Sequence, residues 1–118
     1  MLIDESYNAN PASMRSALAA MAAVPRQRFQ RRIAVLGDML ELGDDSSRLH
    51  EDLKEPVDAA EVDLVFACGP HMQRLYAALP AARRGEWGST SQDILGPLVA
   101  AVRAGDVVMI KGSLGSRM

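Results

Sequence analysis

The sequence predicts a three-layer, Rossmann-like α/β domain, with a mainly parallel sheet and helices on both faces. Three short apolar runs, at residues 33–36, 64–68 and 107–110, have the length and composition of buried strands. Segments with helical periodicity lie between these runs. Such an alternation of strands and helices is typical of parallel sheets that are covered on both sides.

Each apolar run ends at a residue that can terminate a strand, namely Gly37, Gly69 or Lys111. Residues 1–4 predict the tail of a fourth strand, and Glu86 with Trp87 predicts a short fifth. The chain starts within a predicted strand and stops where another helix is expected. We therefore expect one domain of a larger protein.

Four helices are predicted between the strands. Pro11 suits a first helical turn with Asn10 as its cap. Pro56 should kink or split the second helix, and Pro97 interrupts the fourth near its start. The apolar stripes of the four helices comprise Met14, Ala17, Leu18 and Met21; Leu49, Leu53 and Val57; Met72, Leu75, Tyr76 and Leu79 (after Pro70); and Ile94, Leu95, Leu98 and Val102.

Composition and charge exclude several classes of function. The 118 residues suit one globular domain with 48% apolar residues, and the net charge of -2 argues against a nucleic-acid binder. The one basic cluster, Arg26, Arg28, Arg31 and Arg32, is interpreted as a solvated connection.

The single cysteine, Cys68, excludes an internal disulfide and is expected to be buried and inert. No apolar run is long enough to cross a bilayer, and the N-terminus lacks the pattern of a signal peptide. A cytoplasmic protein without a membrane partner is expected by default.

Three polar, glycine-containing segments follow predicted strands, at residues 4–11, 37–43 and 111–116. Ligands of open α/β sheets bind beyond the carboxyl ends of the strands, so these segments predict one shared site. Carboxylates suit sugar hydroxyls, whereas a lysine near a helix N-terminus suits a carboxylate or phosphate. Simple structural roles fit these residues equally well: Asn10 as a helix cap, Asp38 as a turn cap, and Lys111 as a solvated strand end.

Several common motifs are missing from the sequence. It contains no G-x-x-x-x-G-K-[ST] phosphate loop and no G-x-G-x-x-G dinucleotide motif. His50 and His71 are not spaced as a pair of metal ligands, and both are interpreted as solvated or packed residues. No serine, histidine and acid arrangement for acyl transfer is apparent.

The three polar segments resemble the C-terminal domain of the Mur ligase family, specifically of members that add D-alanyl-D-alanine to a UDP-N-acetylmuramoyl-tripeptide. The residues that carry the resemblance are Asp4-Glu5-Ser6-Tyr7-Asn8-Ala9-Asn10-Pro11 with Ser13-Met14, then Gly37-Asp38-Met39 and Glu41-Leu42-Gly43 with His50, and Lys111-Gly112-Ser113. The resemblance covers essentially the whole chain.

The resemblance implies that residues 1–118 form a lid domain, with separate N-terminal UDP-binding and central ATP-binding domains absent from this sequence. It implies an ADP-forming ligase that uses ATP and Mg²⁺, both bound mainly by the central domain. The lid would exclude water from an acyl phosphate and position the attacking amine. The isolated chain is expected to be inactive, and the full enzyme to be a monomer.

Residue roles are also implied by the resemblance. Glu5 or Asp4 would accept hydrogen bonds from the ATP ribose, although Glu5 stands where an aspartate is frequent in the family. Tyr7, Asn8 and Asn10 would shape the nucleotide side of the site. The dipeptide pocket would be lined by Asp38, Met39, Leu40, Glu41, Lys111, Gly112 and Ser113. None of these is a covalent nucleophile or a metal ligand.

Two alternatives remain at the level of sequence. One is the equivalent domain of another Mur ligase or of a folylpolyglutamate-type ligase, which carries a different motif after the first strand. The other is a free-standing α/β binding module, supported by the missing phosphate loop. An upstream domain with a G-K-[ST] loop in the parent reading frame would favour the ligase.

Overall fold

Five parallel strands form a single sheet in the computed structural model, which describes residues 2–4, 10–25, 31–39 and 43–112. The strands are β1 (Leu2–Asp4), β2 (Arg31–Gly37), β3 (Leu64–Cys68), β4 (Arg84–Gly88) and β5 (Asp106–Lys111). Their order across the sheet is β1-β5-β2-β3-β4. The five predicted strands are therefore confirmed, and the last strand in sequence lies between β1 and β2.

The helices are α1 (Pro11–Ala22), α2 (Ser46–Glu51), α3 (Lys54–Ala59), α4 (Met72–Ala78) and α5 (Ser91–Ala101), with short 3-10 turns at Gly43–Asp45 and Ala81–Arg83. The second predicted helix is split, as expected, into α2 and α3. The break falls at residues 52–53, so Pro56 lies in the first turn of α3, where its missing N–H is tolerated.

Apolar side chains of the central strands alternate between two core clusters, because successive side chains of a strand point to opposite faces. The first cluster joins α1, α3 and α4 to one face of the sheet, and the second joins α5 to the other. On β5, for example, Val107 and Met109 belong to the first cluster and Val108 to the second. Helices therefore cover both faces, which confirms the predicted three layers.

The stripe predicted for the fourth helix is only partly correct. Ile94 is buried, but the side chains of Leu95 and Val102 are 57% and 40% exposed. Together with Leu98, Val108 and Ile110, Val102 borders an apolar groove beside β5. The predicted apolar stripe is therefore wider than the side of α5 that packs against the sheet.

The interpretation of the basic cluster as a solvated connection is wrong for Arg31 and Arg32, which open β2; Arg26 and Arg28 lie outside the described residues. Arg32 is 7% exposed, and its guanidinium donates to the carbonyl oxygens of Ala60, Ala22 and Val24. It thereby satisfies carbonyls at the C-terminal ends of α1 and α3, where the helix dipole favours a cation.

Among the helices of the described residues, none combines the length and apolarity that a membrane crossing requires.

Candidate functional site

The carboxyl edge of the sheet gathers the ends of the three strands that precede the predicted site segments. Asp4 ends β1, Lys111 ends β5 and Gly37 ends β2, and these strands are neighbours in the order β1-β5-β2. All pairings are parallel, with Asp4 opposite Ile110 and Leu36 opposite Lys111. The three segments therefore leave the sheet at one edge, which we call the rim.

Asn10 forms the N-cap of α1 at the rim. Its side-chain Oδ1 accepts the N–H of Ser13 at 2.8 Å, and its own N–H donates to Ser13 Oγ at 2.9 Å. This reciprocal capping box satisfies donors that the first turn of a helix leaves open. The predicted cap is confirmed, and a nucleotide contact for Asn10 stays a prediction.

Asp38 lies directly after β2 and is 4% exposed. Its two carboxylate oxygens accept the backbone N–H groups of His71 at 3.2 Å and Met72 at 2.8 Å. A Cβ on Gly69, whose φ is +103°, would approach the Asp38 carboxylate to 2.4 Å. Glycine is therefore required at position 69, and Asp38 holds the start of α4 instead of capping the turn after its own strand.

Met39 has a fully buried side chain that packs in the first core cluster. Its backbone N–H donates to Nε2 of His50 at 2.9 Å. Because neither its side chain nor its N–H faces the rim, any ligand contact by Met39 would have to come from its carbonyl group.

Lys111 ends the strand at the centre of the rim and is 6% exposed. By strand alternation its side chain lies on the face of Val107 and Met109, the face covered by α1. Its interpretation as a solvated strand end is therefore wrong. The next residue, Gly112, is also buried.

The remaining predicted site residues cannot be placed. Only the backbone of Asp4 is described, as the last residue of β1. The predictions for Glu5, Tyr7, Asn8, Leu40, Glu41 and Ser113 lie outside the described residues. Their roles stay predictions.

His50 and His71 contact the predicted site residues Met39 and Asp38, which was not predicted. His50 is fully buried on α2, and its ring lies 5.3 Å from that of His71, at an interplanar angle of 28°. His71 stands at the N-cap position of α4, next to the Asp38 carboxylate. The signal available in the sequence was a histidine in helical register with apolar neighbours, which does not reveal a hydrogen-bond partner.

The described residues offer limited chemistry of their own. They hold no group of three His, Cys, Asp or Glu side chains that fits a metal ion, so a magnesium ion would need other ligands. Cys68 is buried as predicted, and burial raises the pKa of its thiol to about 11, which keeps it protonated and unreactive.

Fold and rim together define a Rossmann-like α/β domain with Asn10, Asp38 and Lys111 at one edge of its sheet. A family model described as the Mur ligase, glutamate ligase domain matches residues 1–114. The chain therefore belongs to the Mur ligase family.

Individual relatives point to one type of Mur ligase. The chain is 34% identical to the UDP-N-acetylmuramoyl-tripeptide--D-alanyl-D-alanine ligase of Mycobacterium leprae, over 95% of this chain and 25% of the relative. It is 32% identical to the ligase of the same name from Escherichia coli K12, over 100% of this chain and 25% of the relative.

Solved structures agree with these relatives. The MurF ligase of Thermotoga maritima, crystallised in complex with ADP, superposes with a TM-score of 0.80 at 27% identity, over 98% of this chain and 25% of that one. A MurF crystal structure from Acinetobacter baumannii gives a TM-score of 0.79 at 27% identity, over 99% of this chain and 25% of that one. The chain spans about a quarter of the length of these proteins.

Proposed function

We propose that this chain is the lid domain of an ATP-dependent ligase that adds D-alanyl-D-alanine to a UDP-N-acetylmuramoyl-tripeptide. In this reaction the peptide carboxylate is converted to an acyl phosphate with release of ADP, and the dipeptide amine then displaces phosphate to form the amide. The relatives named for this reaction, and the ADP complex of one structural neighbour, support the assignment.

The observation that carries the proposal is the position of Lys111, which ends the central strand of the rim and is only 6% exposed. A lysine ammonium group at a sheet edge is suited to bind an anion through a charge-assisted hydrogen bond. The dipeptide carboxylate, or a phosphate oxygen, would provide that anion when the domain closes. Gly112, Ser113 and the segment of Asp38, Met39, Leu40 and Glu41 would form the rest of the dipeptide pocket.

The other side of the rim would serve the nucleotide. Asp4 or Glu5 would accept hydrogen bonds from the ribose, and Tyr7, Asn8 and Asn10 would line the junction with the dipeptide. The lid would act by excluding water from the acyl phosphate and by holding the amine in attacking geometry. ATP and Mg²⁺ would be held mainly by a central domain, in a monomeric cytoplasmic enzyme.

Amine profiling of the full-length protein tests the assignment. ADP release would be measured with ATP, UDP-N-acetylmuramoyl-tripeptide and either D-alanyl-D-alanine or single amino acids. We expect turnover that depends on the dipeptide. Preference for a single amino acid would instead identify another type of Mur or folylpolyglutamate-type ligase.

Lys111 offers a second test with a matched control, because the chain contains only two lysines, Lys54 and Lys111. Loss of a charged hydrogen bond should raise KM for the dipeptide or the nucleotide about 10- to 100-fold in Lys111→Met. Lys54 pairs with Asp58 on half-exposed α3, so Lys54→Met should change neither value. Equal kinetics of the two variants would remove Lys111 from the site.

A further inference from the structure

His50 has no exposed surface, unlike the other polar side chains of the interior, which keep between 4% and 9% exposure. It lies near the end of the short helix α2, stacks on the ring of His71 and contacts the backbone of Met39, a member of the first core cluster. A buried polar ring is costly unless its nitrogen atoms have partners. Each ring nitrogen of His50 has a hydrogen-bond partner.

The two hydrogen bonds define the protonation of the ring. Nε2 faces the backbone N–H of Met39 at 2.9 Å, and Nδ1 faces the carbonyl oxygen of Ser46 at 2.6 Å. An N–H only donates, so Nε2 must be the acceptor; a carbonyl oxygen only accepts, so Nδ1 must carry the hydrogen. His50 is therefore neutral, with its hydrogen on Nδ1.

The bond to Met39 acts on the segment that leaves β2. The preceding residue, Asp38, is held by α4 through its carboxylate, while Met39 is held by α2 through His50. The two helices are themselves joined by the ion pair of Arg74 and Glu51 at 3.2 Å. Two adjacent residues are thus fixed from two directions immediately before residues 40 and 41.

We propose that His50 is a positioning residue for the predicted dipeptide pocket: by accepting the Met39 N–H, it fixes the backbone of Met39 beyond the end of β2, next to Asp38. This inference rests on the proposed function only for the identity of the ligand. The positioning itself is a property of the chain. An apolar residue could fill the same space in the core, but it would leave the Met39 N–H buried without a partner.

Protonation should release the segment. A charged imidazole carries hydrogen on both nitrogens, so Nε2 would face Met39 as a second donor. Burial lowers the pKa of His50 below its ordinary value of 6.5, with Asp38 opposing and the His71 ring assisting this shift. Among the described residues, Asp38 at the end of β2 and His71 at the start of α4 are the titratable groups that act on the ring. The positioning is therefore present at neutral pH and lost as the pH falls below 6.5 through the lowered pKa.

Three variants separate positioning from stability. His50→Phe keeps a planar ring in the core but removes the acceptor, whereas His50→Gln retains a side-chain oxygen able to accept. Val57→Ala, on α3 in the same core cluster, destabilises the domain without touching the segment. Hydrogen exchange of the 118-residue chain should show the Met39 amide protected in the wild type, His50→Gln and Val57→Ala, and unprotected in His50→Phe. Protection that persists in His50→Phe would overturn the inference, whatever the enzyme's substrate proves to be.

Kinetics of the full-length protein test the consequence for the pocket. We expect His50→Phe to raise KM for the dipeptide about tenfold, with KM for ATP unchanged and His50→Gln close to wild type. KM for the dipeptide should rise on the acid side of pH 6.5 in the wild type but not in His50→Gln, which retains His71. A rise of equal size in Val57→Ala would show that His50 acts only through stability. If turnover of the wild-type enzyme did not depend on the dipeptide, the proposed function would be refuted. Hydrogen exchange of the Met39 amide would still show whether His50 positions Met39.

Discussion

Asp106 and Arg31 form a paired anchor at the amino edge of the sheet, opposite the rim. Arg31 donates to both carboxylate oxygens of Asp106, at 2.9 Å and 2.8 Å, and Arg103 N–H adds a third bond at 2.7 Å. These residues start the neighbouring strands β2 and β5 and lie opposite each other in register. Hydrogen bonding to Arg31 lowers the pKa of Asp106 and raises that of Arg31.

Replacing Asp106 by asparagine should destabilise the chain by about 2 kcal/mol at pH 7, because a buried charged pair loses one partner. A carboxyl group with a lowered pKa stabilises the fold above its unfolded value and loses that effect as the pH falls through the folded value. The difference between wild type and Asp106→Asn should therefore shrink below about pH 4. Urea unfolding at pH 7 and at pH 3 measures the difference in unfolding free energy between the wild type and Asp106→Asn at each pH. A constant difference would contradict the assigned pairing.

Residue roles were harder to predict than residue burial. Asp38 and Lys111 were both singled out from their positions after strands, but their partners were open. The Asp38 carboxylate accepts a hydrogen bond from Met72 at the start of α4. This partner is 34 residues away in the sequence, so no local sequence pattern could predict it. The burial of Lys111 likewise depends on its place between β1 and β2, which follows from the sheet order and not from the sequence around it.

At the level of elements, the periodic patterns predicted most of the fold. The four residues predicted to face the core from α1 are the ones that are buried, and β3 has the predicted bounds. The exposed Leu95 and Val102 were missed because the stripe of α5 is wider than the strip of sheet it covers. The strand order was not predicted, since it depends on which long-range pairing is most favourable.

Pro97 lies in the interior of α5, so the helix runs through a residue that cannot donate to the carbonyl four positions earlier. Pro97→Ala should restore this donor on an exposed helix surface and stabilise the chain by about 1–2 kcal/mol. Pro11 provides the control, because at the first position of α1 its missing N–H has no helical partner. Pro11→Ala should therefore bring no gain. Thermal unfolding of the two variants measures the difference in stability. Equal unfolding temperatures for Pro97→Ala and Pro11→Ala would contradict the expected gain at position 97.

For the molecule as a whole, the proposed function assigns only part of the nucleotide and dipeptide sites to this chain. The chain also spans only about a quarter of the length of its relatives. We therefore expect the purified 118-residue chain to show no ATPase or ligase turnover and to bind ATP weakly. Phosphate-release assays and calorimetric titration measure these properties. Turnover, or micromolar affinity for ATP, would contradict a site shared between domains.

The burial of Cys68 makes site-specific labelling of an introduced cysteine possible in this chain. Because its thiol is buried and stays protonated at neutral pH, maleimide reagents should spare it in the folded chain. A cysteine introduced at an exposed position such as Ser89, just after β4, would then be the only thiol of these 118 residues available to a fluorophore. With a second dye on the remainder of the full-length protein, energy transfer would test whether the proposed lid moves during turnover.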